Sequence, residues 1–129
     1  MEDRYLFRGK RIDTGEWIVG SLLVDKQQDI DTGEQIEITG IYPSEYKDFA
    51  KKIDTTTICQ CTGYEGIYEK DIFQCDDEIY IIEWCDYSLS WEAQAIGSSE
   101  SISLGEFNPD EIVVIGNAID NPELLEVRL

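Results

Sequence analysis

The sequence predicts a mainly β protein with few short helices: a small β-containing N-terminal part over residues 1–52, and a C-terminal part over residues 53–129 that closes as a small barrel. The two parts are also compatible with one compact unit. Three observations predict this class. Strand-like runs separated by turn residues recur about every ten positions. Gln35 to Tyr42 alternates apolar and polar residues as a half-buried strand does. Only one stretch, Pro43 to Lys52, has helical spacing. A chain of 129 residues, 42% hydrophobic with seven Tyr, four Phe and three Trp, can fill one modest core and is not a charged disordered chain.

Tyr5–Arg8 and Trp17–Val24 read as the first two strands and Gln35–Tyr42 as the third. The turns between them repeat. Ile12-Asp13-Thr14-Gly15-Glu16 returns as Ile30-Asp31-Thr32-Gly33-Glu34, each copy offering an Asp that can bond its own backbone and a Gly that accepts positive φ. In Pro43–Lys52 the Pro-Ser start, Tyr46, Phe49 and Ala50 at helical spacing and the closing lysines predict a short helix. Thr56–Cys61, Ile67–Cys75, Glu78–Cys85 and Glu111–Ile119 then read as strands, with a polar loop at Gly97–Ser101. Asn121-Pro122-Glu123-Leu124-Leu125 is either a one-turn helix or an ordered tail laying two leucines on the core.

Charge divides the chain. Formal net charge is −18. Residues 1–52 hold 8 basic against 11 acidic side chains, and residues 53–129 hold 2 against 17. So acidic a C-terminal part repels phosphate backbones and disfavours direct nucleic-acid binding. Arg4, Arg8, Lys10 and Arg11 form a small basic cluster that could meet a phosphate or an acidic face of a second subunit. The plainer expectation is a charged edge strand protected from pairing. The apolar runs Ile79–Ile82 and Ile112–Ile115 fall far short of the roughly 20 residues that span a bilayer. The acidic start Met1–Tyr5 lacks the pattern of a secretory signal, so a cytoplasmic protein is expected.

Three motifs then occur in order: Phe7-Arg8 with Trp17-Ile18-Val19-Gly20-Ser21; Gln60-Cys61-Thr62-Gly63 with Ile67-Tyr68-Glu69-Lys70-Asp71-Ile72; and Val114-Ile115-Gly116-Asn117 with Asn121-Pro122-Glu123-Leu124-Leu125. Together they resemble the YopX-like proteins of bacteriophages and prophages of Gram-positive bacteria. The resemblance implies an SH3-type β-barrel in the C-terminal part, a smaller β-containing part before it and a tendency to form oligomers. It assigns no catalytic residue. Two departures concern turn geometry: Lys70 stands where the family has a glycine, and the loop after Thr62-Gly63 is short.

The chemistry open to the chain is narrow. Histidine is absent, which removes the usual general base and the commonest metal ligand. The two Ile-Asp-Thr-Gly copies resemble aspartic-protease loops but are followed by Glu and stand too close to build two lobes. Cys59, Cys61, Cys75 and Cys85 lack the paired C-x2-C spacing of zinc knuckles and read as small buried hydrophobes, with disulfides disfavoured in a cytoplasmic setting. Asp29–Glu34 fails as a calcium loop because Glu34 and Gly40 stand where Gly and Glu are required. Glu69, Asp71, Gly116 and Asn117 read as backbone-bonding turn residues. No catalytic, cofactor-binding or metal-binding residue and no cofactor is expected.

The expected function is therefore that of a non-enzymatic phage or prophage accessory protein acting through protein–protein contacts and self-assembly. Three alternatives stand beside it. One is a module binding a small ligand or nucleic acid on the barrel face through Tyr64, Tyr68, Trp84, Tyr87 and Trp91. Another is an acidic DNA mimic that inhibits a basic host protein. The last is a carboxylate-dependent hydrolase, for which no oriented pair can be named.

Overall fold

A computed structural model describes residues 5–43 and 50–126. The described residues form two antiparallel five-stranded sheets, with short 3-10 turns within each unit. The chain divides into two compact units between Cys61 and Thr62. Among the described residues no helix is long and apolar enough to cross a membrane.

The first sheet contains β1 (Phe7–Lys10), β2 (Trp17–Gln28), β3 (Gln35–Pro43), β4 (Lys51–Lys52) and β5 (Cys59–Gln60), in the order β4-β3-β2-β1-β5. The repeated Ile-Asp-Thr-Gly-Glu segments make the same turn twice. Gly15 and Gly33 both stand at φ 74°, and their N–H groups donate to Arg11 O and Asp29 O. The side chain that braces each turn is the threonine: Thr14 and Thr32 hydroxyls accept the N–H of Glu16 and Glu34 at 3.2 Å. The repeated Asp residues are used differently in the two turns. Asp13 is taken by Arg11, and in the second turn Asp29 accepts the Asp31 N–H at 2.8 Å.

The helix expected over residues 43–52 falls mostly on 44–49, outside the described residues. Its ends are strand, because Pro43 closes β3 and Lys51–Lys52 pair with Ile41 and Gly40 as β4. From β4 the chain crosses to the other side of the sheet. Ile53 N–H donates to Thr39 O on β3, while Ile12 N–H donates to Lys52 O and Asp54 N–H to Lys10 O. Asp54 then caps a 3-10 turn at Thr55–Thr57, accepting the Thr56 N–H at 3.0 Å and the Thr56 hydroxyl at 2.7 Å. The expected strand Thr56–Cys61 is thereby reduced to Cys59–Gln60. Strand β5 pairs with Phe7 and Arg8, so β1 is an interior strand and not the edge that the sequence reading supposed. Residues 53–61, placed by that reading in the C-terminal part, thus complete the first sheet.

The second sheet contains β6 (Asp71–Cys75), β7 (Glu78–Cys85), β8 (Ser90–Ala95), β9 (Ser101–Ser103) and β10 (Val113–Asn117), in the order β10-β6-β7-β8-β9. Ile67, Phe73, Tyr80, Ile82, Ala93, Ala95 and Leu104 are its buried cluster. Phe73, Tyr80 and Phe107 form an aromatic triangle with ring centroids 5.2 to 5.3 Å apart, one pair stacked and two edge-on. The expected strand Ile67–Cys75 starts only at Asp71, because the preceding residues form a turn. A 3-10 turn at Pro109–Glu111, capped by the Asn108 side chain, likewise trims the last strand. The one-turn reading of the tail is met by 3-10 residues Pro122–Leu125.

Candidate functional site

The residues that carry the family motifs are used within the fold. At the head of the second unit the Thr62 N–H and hydroxyl both donate to Ile67 O at 2.9 Å. Gly63 and Gly66 take φ 105° and 73°. Of the two acids in the next motif, Asp71 does the bonding. Buried at 1% exposure, it accepts the Tyr68 N–H on Oδ2 at 2.8 Å, while its own N–H returns to Tyr68 O. Lys70, the departure from the family's glycine, has φ 70°, so a left-handed residue is retained there and the turn keeps its shape at a conformational cost.

The C-terminal motif is similarly self-contained. Asn117 Oδ1 accepts the N–H of Ile119 and Asp120 at 3.0 and 2.8 Å, and Asn121 Oδ1 accepts the Asn117 N–H at 3.2 Å. A Cβ on Gly116 would stand 2.6 Å from Asn121 Oδ1. The glycine is therefore needed for the close approach of the tail to β10.

The four cysteines do not converge. Among the described residues no three Cys, His, Asp or Glu side chains are grouped as a metal site would require. Cys59 and Cys61 are buried in the first unit. Cys75 and Cys85, half-buried in the second, depart from the buried-hydrophobe reading, and their electrostatics differ. Burial, with Asp76 and Glu111 nearby, raises the Cys75 thiol above its ordinary value. The Ser88 hydroxyl and the N–H groups of Ser88 and Tyr87 lower the Cys85 thiol.

The aromatic residues considered as stacking platforms are dispersed between core and surface. Tyr68 is buried, and the Tyr64 hydroxyl donates to Phe107 O at 3.3 Å. Trp84 and Trp91 face each other across β7 and β8 with edge-on rings 5.2 Å apart, and Tyr87 is fully exposed. Glu83 and Glu92 are also directly opposed on these strands. Glu92 accepts the hydroxyls of Ser88, Ser90 and Ser101, so one member of this carboxylate pair is already engaged by its own surroundings. The basic cluster is engaged as well. Arg8 and Lys10 lie 4.7 and 5.4 Å from the Trp17 ring centroid, and Arg11 grips Asp13 with Nε at 2.9 Å and Nη2 at 2.7 Å, which lowers the Asp13 pKa. Arg4 lies outside the described residues.

What remains are surfaces. Among the described residues strand β2 pairs with β1 only through Trp17–Gly20, and β3 pairs with β4 only at Gly40 and Ile41. From Asp25 to Gln28, and from Gln35 to Ile38, the two strands therefore bond only to each other as an arm about 13 Å long, with Leu23 at its base. The register places Leu23, Ile36 and Ile38 on one face of the arm, with Leu23 40% and Ile36 42% exposed. Sequence reading ended β2 at Val24, since Asp25-Lys26-Gln27-Gln28 has no strand signature, and so missed the arm. It also had no means to detect a cleft of about 520 Å³ in the second unit beside the bulge of β10.

No curated protein matches the chain by sequence. The family model described as "YopX protein" matches residues 6–126, nearly the full length and all three motifs. The chain belongs to the YopX family.

Proposed function

We propose that this chain is a non-enzymatic phage or prophage accessory protein of the host cytoplasm that acts by binding proteins, and that its first partner is a second copy of itself. The observation carrying this reading is the β2–β3 arm. Two strands without a third are marginal in water, and among the described residues this pair leaves Leu23 and Ile36 exposed, with half-buried Ile38 between them, on one face. Seating the arm on another copy buries that face and supplies the missing neighbours. The oligomeric habit implied by the family supports the same partner.

The proposal includes an SH3-type arrangement of the second unit. It is supported by the meander β6 to β9, the 3-10 turns that follow it, and the return of β10 to pair with β6. Native mass measurement of the purified chain tests the self-assembly: the expected result is a defined multimer. The double variant Leu23→Lys/Ile36→Lys should be monomeric with an unchanged circular dichroism spectrum. A wild-type protein that is monomeric at micromolar concentration refutes the proposal.

A further inference from the structure

The second unit carries a different surface, a cleft bounded by the β6–β7 turn, the turn after β8, the bulge of β10 and the final 3-10 turn. Its floor is aliphatic: Ile79, Ile96, Ile115 and Leu124. The Ile96 N–H bonds to Ile79 O at 2.9 Å and fixes two of these residues side by side. Asp77, Glu78, Glu123 and Glu126 form the rim, and among the described residues no Lys or Arg lines the cleft.

The cleft continues into an open sheet edge. Strand β10 is an outer strand, and its register with β6 breaks between Val114 and Gly116, leaving Ile115 in a bulge without a ladder partner. Val113, Val114 and Ile115 are 59%, 42% and 39% exposed. Outer strands are ordinarily guarded by lysine or proline, and this strand has neither. Three consecutive exposed aliphatic residues beside an apolar floor form a docking surface for an extended chain.

Charge selects the occupant. Residues 62–129 hold 16 acidic side chains against 2 basic ones, so a second copy would bring another strongly acidic unit to an acidic rim, and a phosphate backbone would be repelled. We propose that the cleft and the adjoining edge of β10 receive an extended segment of another protein in which Lys or Arg alternates with aliphatic residues. The aliphatic side chains cover the floor. The cationic side chains, at the alternate positions, reach out to the four carboxylates of the rim. This inference rests on the reading of the chain as a protein-binding module but uses a surface separate from the β2–β3 arm. Binding retained by Leu23→Lys/Ile36→Lys distinguishes the two.

The test is fluorescence anisotropy of a labelled short peptide of alternating Lys and Val, titrated with the full chain at low salt. Saturable binding is expected, weakened roughly tenfold or more when Glu replaces Lys in the peptide and also when Ser replaces Val. Glu123→Lys/Glu126→Lys should weaken binding by a similar factor, and Ile115→Ser should weaken it measurably. Glu83→Lys/Asp86→Lys makes the same charge change outside the cleft and should alter binding by less than about twofold. Unchanged circular dichroism is required of each variant. Equal loss from both charge-reversed pairs, or equal binding of the Lys/Ser peptide, would mean attraction to a general acidic field and overturn the inference. Self-association abolished by Glu123→Lys/Glu126→Lys would place a second copy in the cleft, which also overturns it.

Discussion

Lys70→Gly should make this protein more stable, although it deletes one of only ten basic side chains in a chain of net charge −18. Lys70 has φ 70° and cannot relax out of the left-handed region. Its N–H is bonded to Ile82 O at 2.8 Å, its carbonyl accepts the Ala118 N–H at 2.9 Å, and the next residue is the buried Asp71. Holding a side-chain-bearing residue there costs about 1–2 kcal/mol, which glycine escapes. Glycine also gives the unfolded chain more freedom, offsetting about 0.4–1 kcal/mol of the gain. The net expectation is a stabilisation of about 0.5–1 kcal/mol, or about 2–5 °C in Tm for a chain of this size. Lys70→Ala is the control, since it removes the same charge and keeps the strained φ, and it should give no gain. Urea midpoints from tryptophan fluorescence, compared at constant m-value, measure the difference. If Ala stabilises as much as Gly, or if Gly lowers the midpoint, strain at this turn is not what limits stability.

Gly20→Ala should abolish folding, because a Cβ there would overlap the Tyr42 carbonyl of the paired strand, a loss of more than about 3 kcal/mol read as insoluble or unfolded protein; the exposed neighbour Ser21→Ala should be neutral. Asp71→Ala orphans the buried Tyr68 N–H and should cost about 2 kcal/mol in urea unfolding, with Asp71→Asn recovering part of it through its remaining acceptor oxygen. Brief alkylation at pH 8 followed by peptide mass mapping should label Cys85 before Cys75, since neighbouring donors lower one thiol and burial raises the other; Cys59 and Cys61 should remain unmodified until the chain unfolds. Burial raises the Tyr80 hydroxyl above its ordinary value, so above about pH 10 the unfolded chain releases a proton that the folded chain keeps, and stability falls as pH rises; in Tyr80→Phe this alkaline loss should be smaller.

Much of the fold was legible because its signals are local. The paired Ile-Asp-Thr-Gly-Glu turns fix two hairpins, and the alternation of Gln35–Tyr42 and the apolar run of Glu78–Cys85 mark strands whose pattern tertiary contacts do not override. The misses have equally definite causes. Strand β8, Ser-Trp-Glu-Ala-Gln-Ala, turns Ala93 and Ala95 inward, and alanine is both a poor strand former and a weak hydrophobic marker. The outer half of β2 is polar because it buries nothing within its own unit, so no pattern reveals it. With Lys70 in place of glycine the local pattern from Ile67 to Cys75 reads as one strand, and that reading carried the strand back through the turn that the motif itself marks.

The legible motifs and the proposed binding surfaces meet only in the C-terminal motif, where Val114, Ile115, Glu123 and Leu124 stand beside Gly116, Asn117 and Asn121, and even there the two roles fall on different side chains. Thr62, Gly63, Asp71, Gly116, Asn117 and Asn121 have their polar groups or their lack of a Cβ committed to backbone geometry, where few residue types can substitute. Such demands leave a strong local signature, and that signature identifies a family without naming a partner. A docking surface of the kind proposed for the β2–β3 arm and the β10 cleft demands only aliphatic area and a sign of charge, which many sequences meet. It acquires meaning only when the fold brings Ile79, Ile96, Ile115 and Leu124 together from segments up to 45 residues apart in the chain. In this chain the specific side chains hold the frame, and on the proposed reading recognition falls to residues whose individual identities are loosely constrained. Binding should accordingly tolerate exchange of one floor residue for another aliphatic of similar size, such as Ile115→Val, and fail when the rim charge is reversed.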